Sequence, residues 1–299
     1  MKNKTVIRGC ICAMLSGVCW GFSGTCGQYL YANFEVSSME LTCVRLLGAG
    51  ILMMLFSMLH HRSTLVNIWK SPKDGFLLVC FGLFGMLFNM YAYLTSIYWS
   101  NAATTTMLLN LNPIVILAIT CITVRRLPRR REVLALVLAL FGVFMLATGG
   151  NPNQLVLSGK ALFWGFSTTF AATAYTLLPR PLLARWPQVP VLAWAMFIGG
   201  VVLNILGRSW TFTYHLNLSG WLAVLALILF GSIFSFSLFM QALKDIGPVK
   251  TSLLAITEML SAPIFSAVWL GTRFSTPDYI GFAAIITTVI LLTTEGDKA

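Results

Sequence analysis

Long apolar runs alternate with short polar segments along the whole chain. A transmembrane helix needs about 20 mostly apolar residues, and the runs have that size. Almost no sequence is left over for a soluble domain, so the pattern predicts an all-α integral membrane protein. We expect ten spans, at Gly9–Leu30, Ser38–Leu59, Gly75–Ile97, Ala102–Val124, Val133–Gly149, Ser158–Leu178, Val189–Gly207, Ser219–Leu243, Thr251–Leu270 and Tyr279–Thr294.

The composition agrees with this pattern, because 58% of the residues are hydrophobic and only 10% are charged. That is too little polar surface to cover a soluble protein of 299 residues. The first apolar run continues to Leu30 without an Ala-x-Ala cleavage site, so we interpret it as a span and not as a secretory signal. The seven cysteines fall in the first four runs, where disulfides are not expected, and Cys10-x-Cys12 lacks the further ligands of a metal site.

The basic residues predict the orientation of the chain in the membrane. Sixteen of the 20 lysines and arginines lie before the first span or in the segments after the even-numbered spans. Segments rich in Lys and Arg stay in the cytoplasm, so we expect both termini to be cytoplasmic. This bias accounts for most of the net charge of +11. We therefore interpret the arginines between Arg125 and Arg131 as a topology anchor that contacts anionic lipid headgroups, and nucleic-acid binding is not supported.

An internal repeat relates the two halves of the chain. Trp20-Gly21-Phe22-Ser23 recurs 144 positions later, beginning at Trp164, and Phe84-Gly85-x-x-Phe88 recurs 146 positions later, beginning at Phe230. Two matches in register predict two five-helix repeats, at 1–150 and 151–299. Because five is odd, the repeats enter the membrane from opposite sides, and such inverted repeats are typical of secondary transporters. Gly17-x-x-x-Gly21 in the first span is typical of a close helix contact.

The sequence resembles the EamA-like branch of the drug/metabolite transporter superfamily over nearly its whole length. The features that carry the resemblance are the repeated Trp-Gly pair, Arg45, Asn112-Pro113 in the fourth span and Glu258 in the ninth. Met259 departs from the pattern, since the family often has proline there. The resemblance implies a central cavity between the two bundles and a location in the inner, or plasma, membrane.

Ionisable groups at membrane depth are costly unless they line a cavity or have a partner. Glu258 is the first candidate, to bind a substrate amine or a proton, and the repeat places Asn112 at the corresponding position. Arg45 is a candidate to bind a carboxylate. Structural roles are open for both residues: Glu258 can cap a broken helix or pair with Arg45, and Glu40 is a candidate partner for Arg45.

A group of aromatic and polar residues completes the candidate substrate-binding site. The aromatic members are Trp20, Tyr91, Trp164 and Tyr175, which are suited to flat or apolar parts of a substrate, although aromatic residues also anchor spans at the membrane surface. Asn89 and Ser235 correspond in the repeat and offer hydrogen bonds from the third and eighth spans.

Three functions are consistent with these features. The first is a secondary carrier that exports amino acids or related metabolites by alternating access, with protons as a coupling ion. The second is an efflux carrier for lipophilic cations. The third is an intramembrane enzyme, because Gly21-Phe22-Ser23-Gly24 resembles the serine motif of rhomboid-type proteases. Such a serine needs a base within hydrogen-bond reach. The three histidines of this chain are expected in loops, so we expect the serine to lack a base. We expect no cofactor, no metal and no catalytic residue.

Overall fold

The computed structural model describes residues 2–125, 127–152, 154–212 and 215–293, and this part of the chain is helical without a strand. The predicted all-α class is therefore confirmed. The α-helices of the described residues are α1 (Lys2–Asn33), α2 (Ser38–His60), α3 (Arg62–Asn67), α4 (Pro72–Cys80), α5 (Phe88–Trp99), α6 (Ala102–Leu109), α7 (Asn112–Val124), α8 (Arg130–Thr148), α9 (Gly159–Leu177), α10 (Arg180–Leu183), α11 (Gln188–Gly207), α12 (Leu218–Ile228), α13 (Ser235–Leu254), α14 (Thr257–Leu270) and α15 (Thr276–Thr293).

Each of the ten predicted spans falls on one or two of these helices. Among the described residues, seven helical segments are long and apolar enough to cross a membrane: Thr5–Asn33, Ser38–His60, Pro72–Trp99, Ala102–Thr123, Arg130–Thr148, Gln188–Gly207 and Leu218–Ile246. A shorter apolar stretch, Thr276–Leu291, lies in α15. The sixth and ninth predicted spans are not among the seven segments. Helix α9, at the sixth span, contains four threonines, which lower its hydropathy, and α14, at the ninth span, has only 14 residues.

Corresponding helices of the two halves pack against each other in antiparallel pairs. In the pair of α2 and α11, a Cβ built on Gly50 would lie 2.7 Å from the backbone nitrogen of Phe197, and one built on Gly200 would lie 2.8 Å from the Cα of Leu47. The glycines thus let the two backbones approach closely. In the pair of α8 and α15, Gly142 and Gly281 approach each other in the same way.

The first helix of each half packs on the third and fourth spans of the other half. Helix α1 contacts α12, α13 and α14, whereas α9 contacts α5, α6 and α7. The predicted small-residue face of α1 is confirmed, because Gly17 lies against the start of α14 and Gly21 lies against Ser261 and Ala262. All seven cysteines are free.

Irregular helix recurs at matching places in the two halves. A π-helical segment, Phe81–Leu87, joins α4 to α5, and a second, Leu229–Phe234, joins α12 to α13. These are the segments that carry the repeated Phe-Gly pattern. The next span is interrupted in both halves, between α6 and α7 and between α13 and α14. The repeat thus places irregular backbone at related positions in the two halves. π-Segments occur frequently at functional sites, so these positions are the first place to look for one.

Candidate functional site

Two charged side chains are buried where the halves meet. Arg45 of α2 is 3% exposed and Glu258 of α14 is 6% exposed. Neither forms an ion pair with another described residue. A charge at this depth is costly without a partner and marks a site of function by default. The polar groups around these two residues therefore define the candidate site.

The Arg45 guanidinium binds the second π-segment. Its Nη2 donates to the carbonyl oxygen of Gly231 at 2.8 Å, and its Nε donates to Ser232 Oγ at 3.2 Å. Its Nη1 is buried and has no hydrogen-bond partner. The alternative in which Glu40 pairs with Arg45 is wrong, since Glu40 Oε2 accepts from the backbone nitrogen of Ser37 in a capping box at the start of α2.

Glu258 lies in the first turn of α14, directly after the interruption of the ninth span. The carboxyl of Glu258 interacts with the side-chain amide of Asn110, which lies in the interruption of the fourth span. It also interacts electrostatically with Arg45 over a longer distance than an ion pair. Asn112, the predicted counterpart of Glu258, begins α7 and is half-buried. The two interruptions thus meet through Asn110, which lies two residues before Asn112.

Hydroxyl groups without partners surround the two charges. The hydroxyls of Tyr31, Tyr93 and Tyr175 and Oγ of Ser23 are buried and make no hydrogen bond. Tyr31 interacts electrostatically with Arg45, Tyr175 interacts with Glu258, and Tyr93 interacts with both. Buried polar atoms normally have partners. These hydroxyls therefore leave donors and acceptors near Arg45 and Glu258 that the protein itself does not bind.

Sequence reasoning missed Tyr31, Tyr93, Ser23 and Asn110 as site residues, although a signal existed for two of them. Tyr31 precedes Tyr175 by 144 positions, the interval that relates Trp20 to Trp164. Tyr93 lies four residues after Asn89 in α5, so the two share a helix face.

The predicted aromatic residues separate into two groups. Trp20 and Tyr175 both contact Phe236 of α13, with ring centroids 5.2 and 5.4 Å apart. Tyr91 and Trp164 form a separate edge-to-face pair at 5.3 Å. Tyr91 lies about 200° around the helix from Asn89, so these two predicted residues do not share a face.

Asn89 and Ser235 lie directly after the π-segments of the third and eighth spans. Both have a buried side-chain oxygen without a partner, and both lie one or two residues beyond their segment. Together with the aromatic contacts, these burials describe an enclosed site.

Ser23, the serine of the motif that resembles rhomboid-type proteases, lies against Gly231, close to Arg45 Nη2. The prediction that all histidines lie in loops is wrong for His60, which is the last residue of α2, where its ring stacks on Phe56. Among the described residues, no cluster of three or more His, Cys, Asp or Glu side chains is placed to hold a metal ion.

Comparison with known proteins decides the family. The model of the EamA-like transporter family matches the chain twice, over residues 7–148 and 159–294. The chain belongs to the EamA-like transporter family. The resemblance noted in the sequence is thus confirmed.

Relatives of this EamA-like chain extend over its whole length. It is 36% identical to the uncharacterized inner membrane transporter YicL of Salmonella typhimurium, over 97% of both chains. It is 22% identical to the uncharacterized transporter YwfM of Bacillus subtilis, over 95% of this chain and 93% of that one. A solved crystal structure with 17% identity superposes with a TM-score of 0.63 over 96% of this chain and 98% of that one, which shows a shared fold.

Family membership and the apolar helices together establish the class of the molecule. The chain is a multi-pass membrane transporter of the EamA type.

Proposed function

We propose that this EamA-like protein is a secondary active carrier that exports amino acids or related small metabolites by alternating access. The observation that carries the proposal is the enclosed pair of opposite charges, Arg45 and Glu258, each without an ion partner among the described residues and surrounded by unpaired hydroxyls. Groups of this kind bind polar solutes when a cavity opens to them.

The proposal includes ten spans in two inverted repeats, in the inner membrane and with both termini in the cytoplasm. The antiparallel pairing of α2 with α11 supports opposite orientations of the halves. The excess of lysine and arginine in the segments after the even-numbered spans supports the cytoplasmic termini. In inverted repeats, inward-open and outward-open states arise when the halves exchange conformations around a central site. A C-terminal reporter that fluoresces only in the cytoplasm tests this topology.

We assign substrate binding to residues on both sides of the interface. Glu258 supplies a polar group from the second half, Asn110 and Arg45 supply polar groups from the first half, and Trp20 and Tyr175, which both contact Phe236, supply aromatic walls. Asn89 and Ser235 offer further hydrogen bonds. Tyr91, Trp164 and Asn112 are assigned to the rim of the site, since Tyr91 and Trp164 pair with each other. We further propose that the arginines from Arg125 to Arg131 contact membrane lipid and that protons are the coupling ion.

Reconstitution into liposomes tests the carrier function. Vesicles with a pH gradient are loaded with each of the 20 amino acids and with short organic acids, and efflux is followed over time. Saturable efflux of one of these solutes is expected with this protein and not with empty vesicles. Failure of every solute, including lipophilic cations, would refute a carrier.

Glu258→Gln tests proton coupling. The amide keeps the size of the side chain but neither ionises nor takes up a proton, so we expect efflux to fall at least tenfold or to lose its dependence on the pH gradient. Glu35→Gln is the matched control, because Glu35 is exposed before α2, and it should transport normally. Unchanged pH-dependent efflux by Glu258→Gln would remove this residue from the mechanism.

Efflux of lipophilic cations is a second candidate. The observation in its favour is the aromatic group of Trp20, Phe236, Phe239 and Tyr175, since Tyr175 also interacts with Glu258. Aromatic faces and a carboxylate attract organic cations. Growth protection by overexpression against cationic dyes, compared with protection against amino-acid analogues, separates the two candidates.

A further inference from the structure

We propose that Arg45 is the core of a carboxylate-binding subsite, so that the substrates of this protein are small metabolites with a free carboxylate. This inference rests on the proposed carrier function and narrows its substrate class. Three features of the structure support it: a guanidinium nitrogen without a partner, the hydroxyls around it, and the presence of this arginine in only one of the two halves.

The guanidinium has hydrogen-bonding capacity left over. Nε and Nη2 are used by Ser232 Oγ and the Gly231 carbonyl oxygen, and Nη1 has no partner although the residue is 97% buried. The two bonds fix the plane of the guanidinium against the π-segment. Nη1 is therefore held in one orientation, as a charged donor with nothing to bind.

Three unpaired hydroxyls belong to the same cluster. Ser23 lies beside the guanidinium, because a Cβ built on Gly231 would meet both Ser23 Oγ and Arg45 Nη2. The hydroxyls of Tyr31 and Tyr93 interact electrostatically with Arg45. A carboxylate has about four lone-pair directions and accepts several hydrogen bonds at once. One charged donor and three hydroxyl donors match that capacity.

The positive charge is not balanced within the protein. No acidic side chain among the described residues forms an ion pair with Arg45. Its nearest acidic neighbour along the helix, Glu40, is held by the capping box of α2. Glu258 interacts with Arg45 at longer range. A buried cation is stabilised by an anion in direct contact, and a substrate carboxylate supplies one.

The other half has no arginine at the corresponding position. Arg45 and Ala195 each lie eight residues after the N-cap of corresponding helices, α2 and α11. Ala195 lies close to the first π-segment, since a Cβ on Gly82 would lie 3.0 Å from the Ala195 carbonyl oxygen. The contact of α2 with the second π-segment thus carries a charge that the related contact of α11 lacks.

The test compares each carboxylate with its own carboxamide on the purified full-length protein. The probes are the 20 amino acids and their amides, together with lactate, succinate and their amides, measured by ligand-induced shifts of the thermal unfolding temperature. We expect at least one carboxylate to raise this temperature by several degrees and its amide to bind at least tenfold more weakly. Arg45→Lys, which keeps the charge but loses the planar fork, should reduce the preference for the carboxylate at least tenfold.

Tyr93→Phe provides a second variant in case Arg45→Lys does not fold. Its hydroxyl interacts with the Thr106 side chain but meets no partner in hydrogen-bond geometry, so its removal should leave the ligand-free protein folded while weakening carboxylate binding. Ser57→Ala is the matched control, because Ser57 also has a buried, unpaired hydroxyl but lies about 18 Å from Arg45 along α2. It should bind as the unmodified protein does.

The outcomes separate this inference from the carrier function. If no carboxylate is preferred over its amide, or if the preference survives in both Arg45→Lys and Tyr93→Phe, the subsite is refuted. If the protein transports only cations without a carboxylate, the subsite is refuted while the carrier function stands. If a carboxylate binds at Arg45 but no solute crosses liposomes, the carrier function fails and the binding site remains.

Discussion

At the scale of single residues, glycines make room for the polar groups of the site. Gly231 has the closest surroundings, because an added Cβ would meet Ser23 Oγ and would lie 2.9 Å from Arg45 Nη2. Both of these side chains are buried and packed between helices. The Cβ of Ser23 would lie only 2.7 Å from the added Cβ, and Arg45 cannot move away without disturbing its two hydrogen bonds.

Gly231→Ala should therefore destabilise the protein by about 1–3 kcal/mol, the usual cost of overpacking. Gly159→Ala is the matched control, since nothing lies within 4 Å of a Cβ at that position. It should stay within about 0.5 kcal/mol of the unmodified protein. Thermal unfolding of both variants in detergent gives the comparison, and equal stabilities would contradict the close packing at Gly231.

At the scale of helices, the interrupted fourth and ninth spans determine where polar backbone can exist inside the membrane. In the fourth span, Pro113 cannot donate a backbone hydrogen bond and disfavours a continuous helix. Just before the interruption, the carbonyl oxygen of Leu108 accepts from Leu111 N at 3.1 Å and from Thr169 Oγ1 of α9 at 2.7 Å. The ninth span is interrupted with Met259 in place of the family's proline, and there Thr257 Oγ1 donates to the Met14 carbonyl oxygen at 2.9 Å.

Thr169→Val tests the support that α9 gives to the first interruption. Valine has nearly the same shape but leaves the Leu108 carbonyl oxygen without this donor, so we expect a loss of about 1 kcal/mol in stability. Thr287→Val is the control, because its hydroxyl is exposed and bonds only to its own helix. If both variants unfold at the same temperature, the hydrogen bond between α9 and the fourth span does not stabilise the interruption.

At the scale of the whole molecule, side-chain contacts join the two halves at both ends of the helix bundle. At one end, Arg8 pairs with Asp245 through two contacts of 2.7 and 2.8 Å, and Arg185 pairs with Asp74 at 3.1 Å. At the other end, the side-chain oxygen of Gln28 accepts hydrogen bonds from two other helices, at Ala102 and Ser266. The ion pairs involve exposed arginines, which salt screens readily.

Asp245→Asn should favour opening at the end that carries Arg8, which the charge bias places in the cytoplasm. Cys12 is a native reporter there, since it lies in α1 within electrostatic range of both Arg8 and Asp245. In a variant that keeps Cys12 as its single cysteine, a membrane-impermeant maleimide should label inside-out vesicles several times faster after the substitution. High salt should have the same direction of effect on the parent protein. Unchanged labelling in both experiments would show that this ion pair does not hold the end closed.

The sequence by itself determined the all-α membrane class, the approximate positions of the main helices and the presence of two related halves. These follow from local properties: a run of apolar residues forms a helix in lipid wherever it occurs, and a repeated motif such as Phe84-Gly85-x-x-Phe88 is visible without a structure. Glu258 and Arg45 were also identifiable, since a charge inside an apolar run is conspicuous.

Only the tertiary structure decided which groups face each other. A π-segment inserts an extra residue into the helix and rotates everything after it by about 100°, so periodicity cannot predict the facing of residues beyond Gly85 or Gly231. The interruptions likewise bring Asn110 to Glu258, a contact that the repeat register does not predict. The unpaired Nη1 of Arg45 and the tyrosine hydroxyls around it depend on contacts among helices far apart in the chain, and no local pattern records such contacts.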